Sequence, residues 1–165
     1  MRVLGIDPGT IAMGYGLVEG PESATMLDCG VLTVSRGTSP PLRLAGLYEK
    51  LEAVIDRLQP QEVAIEEPFV AKNPRSALAV GRAQGIAILA AARRGLPVYQ
   101  YSPAQVKLSV ANYGTSSKEQ VQEMVRMILR LSQPPRSSDA ADALAVALCH
   151  LQHSRLDHLL SEARV

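Results

Sequence analysis

Four acids stand where their neighbours would hold them still. Asp7 ends an apolar run at residues 3–7 and opens the turn sequence Asp7-Pro8-Gly9-Thr10. Glu66 ends a second such run, Val63-Ala64-Ile65. Asp139 and Asp142 are three apart before a stretch of alanine, leucine and valine, a spacing that puts both on one helix face. Each acid alone has an ordinary explanation: Asp7 can cap its own turn, Glu66 can be a solvated strand end, and the pair can be simple charge placement at a helix N-terminus. Together they mark two strand ends and the start of a closely packed helix. If the fold gathers them, four carboxylates share a small volume, which is unfavourable without cations. An all-oxygen donor set suits Mg²⁺ or Mn²⁺, whereas zinc calls for Cys or His. Two such ions can activate water, orient a phosphate and stabilise the leaving oxygen of a phosphodiester. Metal-dependent phosphodiester hydrolysis is the chemistry these residues fit.

The elements that must position them follow from pattern. Three strand-like segments, residues 3–7, 13–19 and 25–34, are joined by short turns, which favours an antiparallel meander. A loop rich in Ser, Gly and Pro (35–41) precedes helical spacing at Leu44, Leu47, Leu51, Val54, Ile55 and Leu58, closed by Pro60. A short strand at 63–66, a helix at 76–94 ended by Gly95, and a strand at 98–101 come next. Ser102 to Gln105 opens another helix, Ser116 to Glu119 has the pattern of a capping box for a helix to about Leu131, and Ser138 caps a last helix to about His153. A polar tail, loose at its end, is expected over 154–165 after one domain at 1–153. The predicted architecture is α/β, a mixed five-stranded sheet with helices on both faces. Side-chain alternation places Asp7 with Val3 and Gly5, and sends Glu66 and Glu67 to opposite sides. Alternation leaves open which of the two shares a side with Asp7.

The chain has 165 residues, 47% hydrophobic and 20% charged, a length and balance that fit one folded domain. A net charge of +1 does not itself point to nucleic acid; a basic surface would have to segregate on one face. Cys29 and Cys149 show no metal-ligand or redox spacing and suit two reduced thiols. The longest apolar run, residues 85–92, is far below the ~20 needed to span a bilayer, and Asp7 interrupts the N-terminus too early for a signal sequence. A cytoplasmic protein without membrane contact is expected.

The stretches Gly5-Ile6-Asp7-Pro8-Gly9, Ala64-Ile65-Glu66-Glu67 and Asp139-Ala140-Ala141-Asp142-Ala143-Leu144 resemble those of the RuvC-type Holliday-junction resolvases of the RNase H-like superfamily. Similarity continues through residues 73–85, Gln105-Val106-Lys107 and 124–131, and so covers about residues 1–153. The resemblance implies that Asp7, Glu66, Asp139 and Asp142 are metal-binding catalytic residues, with Glu66 preferred over Glu67. It implies paired hydrolysis of four-way DNA junctions in recombination and repair, with Mg²⁺ (Mn²⁺ substituting) and two ions per site. Lys107 and Lys118 are implied to contact the DNA backbone, and Phe69, the only Phe, to stack on an unpaired base near the junction centre. Lys72, Arg75 and Arg82 flank the same loop and extend a basic surface. A homodimer is expected from the nearly all-apolar helix 76–94, whose Gly81 and Gly85 permit close approach, and the resemblance agrees. It also implies a branch-migration helicase as partner. Three other readings compete: an RNase H-like nuclease acting on RNA, a nucleotide-binding ATPase using Asp7 to Thr10 for phosphate, and a non-catalytic junction-binding module.

Overall fold

A computed structural model describes residues 1–20, 23–68, 74–111 and 117–162. Strands β1 (Arg2–Asp7), β2 (Ala12–Glu19) and β3 (Thr25–Thr33) form the expected antiparallel meander. Helix α1 (Pro40–Leu58) leads to β4 (Glu62–Glu66), which pairs with β1 in parallel. Helix α2 (Pro74–Ala92) leads to β5 (Val98–Tyr101), parallel to β4. Helices α3 (Pro103–Ala111), α4 (Lys118–Ile128) and α5 (Ser138–Glu162) complete the chain. The sheet order is β3-β2-β1-β4-β5, so β1 is central.

Helices cover both faces of this sheet. Leu4, Ile6, Val63 and Ile65 form one core with Leu47, Leu51, Val54 and Ile55 of α1 and Ala83, Ala87 and Ala90 of α2. Val3 and Ala64 form the other with α3, α4 and α5. The period-two alternation of β1 and β4 is thus shared between two buried layers, as expected of central parallel strands.

Helix α2 is shifted two residues towards the N-terminus from the expected 76–94, and four other boundaries differ from the sequence pattern for a local reason. Helix α1 begins at Pro40, inside the expected loop, because its two prolines occupy first-turn positions that need no amide donor. The cap of α4 is Ser117, whose side chain accepts from the Gln120 amide while the Gln120 side chain accepts from Ser117 N at 2.7 Å. That frame, one residue beyond the expected one, buries Val121 and Val125 on one face. The same helix stops at Ile128 rather than Leu131. Arg130 takes a left-handed φ of 52° and the Leu131 amide returns to Arg126 O at 2.9 Å. Helix α5 continues through the expected tail to Glu162, since residues 154–162 contain neither Gly nor Pro and are mostly good helix formers. Gly95 does adopt the left-handed conformation, φ 67°.

Glycine fixes how closely α5 lies on the sheet. A Cβ on Gly5 would meet Ala143 O at 2.0 Å, and one on Gly14 would meet Asp139 O at 2.0 Å. The helix backbone therefore rests directly on β1 and β2, and its first turn is held beside the end of β1. Among the described residues, no helix is long and apolar enough to cross a membrane.

Candidate active site

The carboxyl ends of β1 and β4 lie side by side, with Ile6 and Ile65 in register. Asp7 and Glu66 are the next residue of each strand. Ala64 belongs to the core beneath α5, whereas Val63 and Ile65 belong to the opposite core. Alternation then turns Glu66 towards α5, on the side of Asp7, and leaves Glu67 exposed. Helix α5 supplies Asp139 from its first turn and Asp142 from the start of its second. One oxygen from each of Asp7, Asp139 and Asp142 lies within 4.8 Å of the others. Glu66 is not one of that trio, but it lies near enough to Asp7 and Asp142 for both to act on its charge.

Electrostatics show how crowded this is. Asp7 is raised to about 8, first by burial and then by Glu66, Asp142 and Asp139, with Lys118 opposing. Glu66 is raised to about 7 by burial and Asp142, opposed by its hydrogen bond with Asp7 and by Lys118 and Lys107. Two adjacent carboxyls pushed above the ordinary carboxylate range by burial and like charge form a site that calls for positive charge.

Part of that charge comes from Lys118, at the start of α4, whose Nζ lies 2.7 Å from Asp142 Oδ2 with about half its side chain exposed (51%). The ion pair raises the Lys118 ammonium above its ordinary value. Lys107, on α3, lines a cleft of about 170 Å³ with Glu66, Lys118 and Asp142. Two hollows of about 490 and 510 Å³ lie elsewhere, along α5 and the loop before it, so the acids and not the largest volume locate the chemistry. Arg75 is exposed in the first turn of α2. Phe69 and Lys72 lie outside the described residues.

The donor set is oxygen throughout, clustered and half-withdrawn from water, which fits Mg²⁺ or Mn²⁺ and not a thiolate- or imidazole-bound metal. The same helix carries a polar cluster that the sequence pattern did not suggest. His150, 2% exposed, meets Glu62 with Nε2 at 2.5 Å and Tyr101 Oη with Nδ1 at 2.8 Å, and its ring lies 4.2 Å from that of Tyr99. With Nε2 donating to Glu62, Nδ1 accepts from the Tyr101 hydroxyl, so the buried ring is fully partnered. A histidine inside the apolar run 143–151 was the available signal, since a buried imidazole needs partners.

The family model for crossover junction endodeoxyribonuclease RuvC matches residues 3–150. A crossover junction endodeoxyribonuclease RuvC from Dehalococcoides mccartyi is 50% identical over 163 residues, covering 98% of both chains. One from Chloroflexus aggregans is 54% identical over 151 residues, covering 91% of this chain and 92% of the relative. The solved structure of Thermus thermophilus RuvC in complex with a Holliday junction substrate superposes with a TM-score of 0.88 at 40% identity, covering 95% of this chain and 96% of that one. With its acids gathered at the carboxyl edge of an RNase H-like sheet, the chain belongs to the crossover junction endodeoxyribonuclease RuvC family.

Proposed function

We propose that this chain resolves four-way DNA junctions by metal-dependent phosphodiester hydrolysis during recombination and repair, with Asp7, Glu66, Asp139 and Asp142 as its catalytic residues. The observation that carries the reading is the convergence of Asp7, Asp139 and Asp142 oxygens within 4.8 Å beside two lysines. The four carboxylates would hold two Mg²⁺ ions, or Mn²⁺ in their place. When bound, the ions supply an activated water and offset charge on the scissile phosphate. The protein's own part is positional. Strand ends fix Asp7 and Glu66, the glycine-seated helix fixes Asp139 and Asp142, and Lys107 and Lys118 neutralise the phosphates that approach the cleft. Phe69 stacks on an unpaired base, and Lys72 and Arg75 extend the basic surface.

The working unit is a homodimer. Leu78 and Leu89 of α2 are exposed (60% and 51%), and a Cβ built on Gly81 or Gly85 between them meets open space. These four residues share one helix face, and a two-fold pairing through it gives two active sites for the two symmetric strands of a junction. The protein acts in the cytoplasm, with a branch-migration helicase as partner.

The test is to incubate wild type and Asp7→Asn with a four-way junction, with and without Mg²⁺ or Mn²⁺. Paired, metal-dependent nicks from the wild type alone are expected, with junction binding kept by the variant. Equal cutting by both proteins contradicts the assignment.

A further inference from the structure

Two sets of described arginines differ in their partners. Arg57, Arg94 and Arg126 each pair with a carboxylate at 2.6–2.7 Å. Among the described residues, no ion pair involves Arg43 or Arg82, and Arg43 Nε is buried without a hydrogen-bond partner. These two line the same small cavity, about 130 Å³, with Thr10, Pro40, Leu44 and Ala79. Among the described residues, no acidic one contributes to its wall.

The topology gives this cavity its meaning. Arg43 lies in the first turn of α1 and Arg82 in the first half of α2, and both helices start where β3 and β4 end. Asp7 pairs with Gly14 and Gly14 with Val31, so the end of β3 is at the same edge of the sheet as Asp7. Thr10 is three residues beyond Asp7, in the turn between β1 and β2. The cavity therefore opens at the edge that carries the acids, on the face of α1 and α2, opposite α5. Buried polar nitrogens are normally satisfied, and an anion held between Arg43 and the exposed Arg82 supplies the partner that Arg43 Nε lacks while offsetting both charges. The volume is below that of sites for drug-sized ligands, so a single small group fits and a whole nucleotide does not. Apolar walls from Pro40, Leu44 and Ala79 weaken screening and strengthen the grip on a charge.

We propose that Thr10, Arg43 and Arg82 hold one backbone phosphate of the bound DNA, on the opposite face of the sheet edge from the scissile position. This rests on the DNA reading above. The site anchors the strand on the far side of β1 while Lys107 and Lys118 engage it near the acids, so the duplex is gripped across the edge rather than at one point. The guanidiniums position and do not react.

Junction binding is measured by fluorescence anisotropy with the full chain, in chelator, over a range of KCl concentrations. Wild type, Arg43→Gln, Arg82→Gln and the double variant are compared, with Arg93→Gln at the far end of α2 as a control for general charge. Removing a shared phosphate contact lowers the steepness of log K against log salt by about 0.9. The double variant is expected to lose that amount, each single variant no more, and the control nothing. Circular dichroism melts check folding, and Arg82, being exposed, can be replaced without disturbing a core if Arg43→Gln does not fold. Unchanged slopes in every variant, a double-variant loss of about 1.8, or an equal loss in Arg93→Gln overturns the shared site. A wild type that does not bind the junction removes the DNA reading itself. If inorganic phosphate alone raises the melting temperature of wild type but not of the double variant, while the slopes coincide, the cavity takes a free anion and the DNA assignment is overturned.

Discussion

The two halves of α5 treat charge in opposite ways. At its start, Asp139 and Asp142 are pressed against Asp7 and Glu66, and burial with mutual repulsion holds Asp7 and Glu66 above the ordinary carboxylate range. Two turns further on, eight residues past Asp142 and about 12 Å along the axis, His150 is buried more deeply yet has a partner for each ring nitrogen. Both places bury polar groups. Only one leaves them in conflict, and that one is where an external charge is required. The completed cluster serves the fold; the incomplete one is where chemistry can be built.

The comparison can be broken in order of effect. Asp7→Asn is expected to cut junction cleavage by more than about a hundredfold, the scale at which even residues behind the ligands begin to matter in metal sites. It should also raise the metal-free melting temperature, because a buried carboxyl among like charges is removed. A scanning calorimeter and a nicking assay on one preparation check both. Gly14→Ala places a Cβ 2.0 Å from Asp139 O, so α5 must lift; a loss of about 1–3 kcal/mol in urea unfolding, with weakened Mn²⁺ binding, is expected. Tyr101→Phe leaves His150 Nδ1 without its donor and should cost about 1–3 kcal/mol, with Mn²⁺ affinity unchanged. Loss of metal binding in that variant would erase the distinction between the two halves.

Smaller effects sharpen the picture. In chelator, the folded chain holds protons on Asp7 and Glu66 more tightly than the unfolded chain, whose carboxyls titrate near about 4. Stability therefore falls as pH rises from that range through about 8, and saturating Mg²⁺ should flatten the curve. Melting curves across that interval test the sign. Lys118→Met removes an ammonium that competes for Asp142, so Mn²⁺ affinity without DNA should rise by about twofold to fivefold, the scale of a half-exposed ion pair.

The order of elements along the chain, the two-faced sheet, and the places of Asp7 and Glu66 at strand ends and of Asp139 and Asp142 on one helix face were readable because strand alternation and helical spacing are local. The parity of Glu66 against Glu67 was not, since it depends on which face of β4 meets α5. That choice is made by Ala64, small enough to sit beneath the helix. The start of α1 was misplaced because prolines 40 and 41 read as loop residues until they occupy a first helical turn. The end of α5 was misplaced because Ser154 carries no stop signal. The Glu62–His150–Tyr101 cluster and the Arg43–Arg82 cavity join residues 39 to 88 positions apart, and no local pattern reports such meetings.

A crystal soaked in Mn²⁺, with anomalous scattering recorded near the manganese edge, tests the central claim most directly. Strong peaks at coordination distance from Asp7, Asp139 and Asp142 carboxylate oxygens, lost in Asp7→Asn, are the predicted result. Manganese bound only elsewhere, with those three side chains ligand-free at saturating metal, would contradict it.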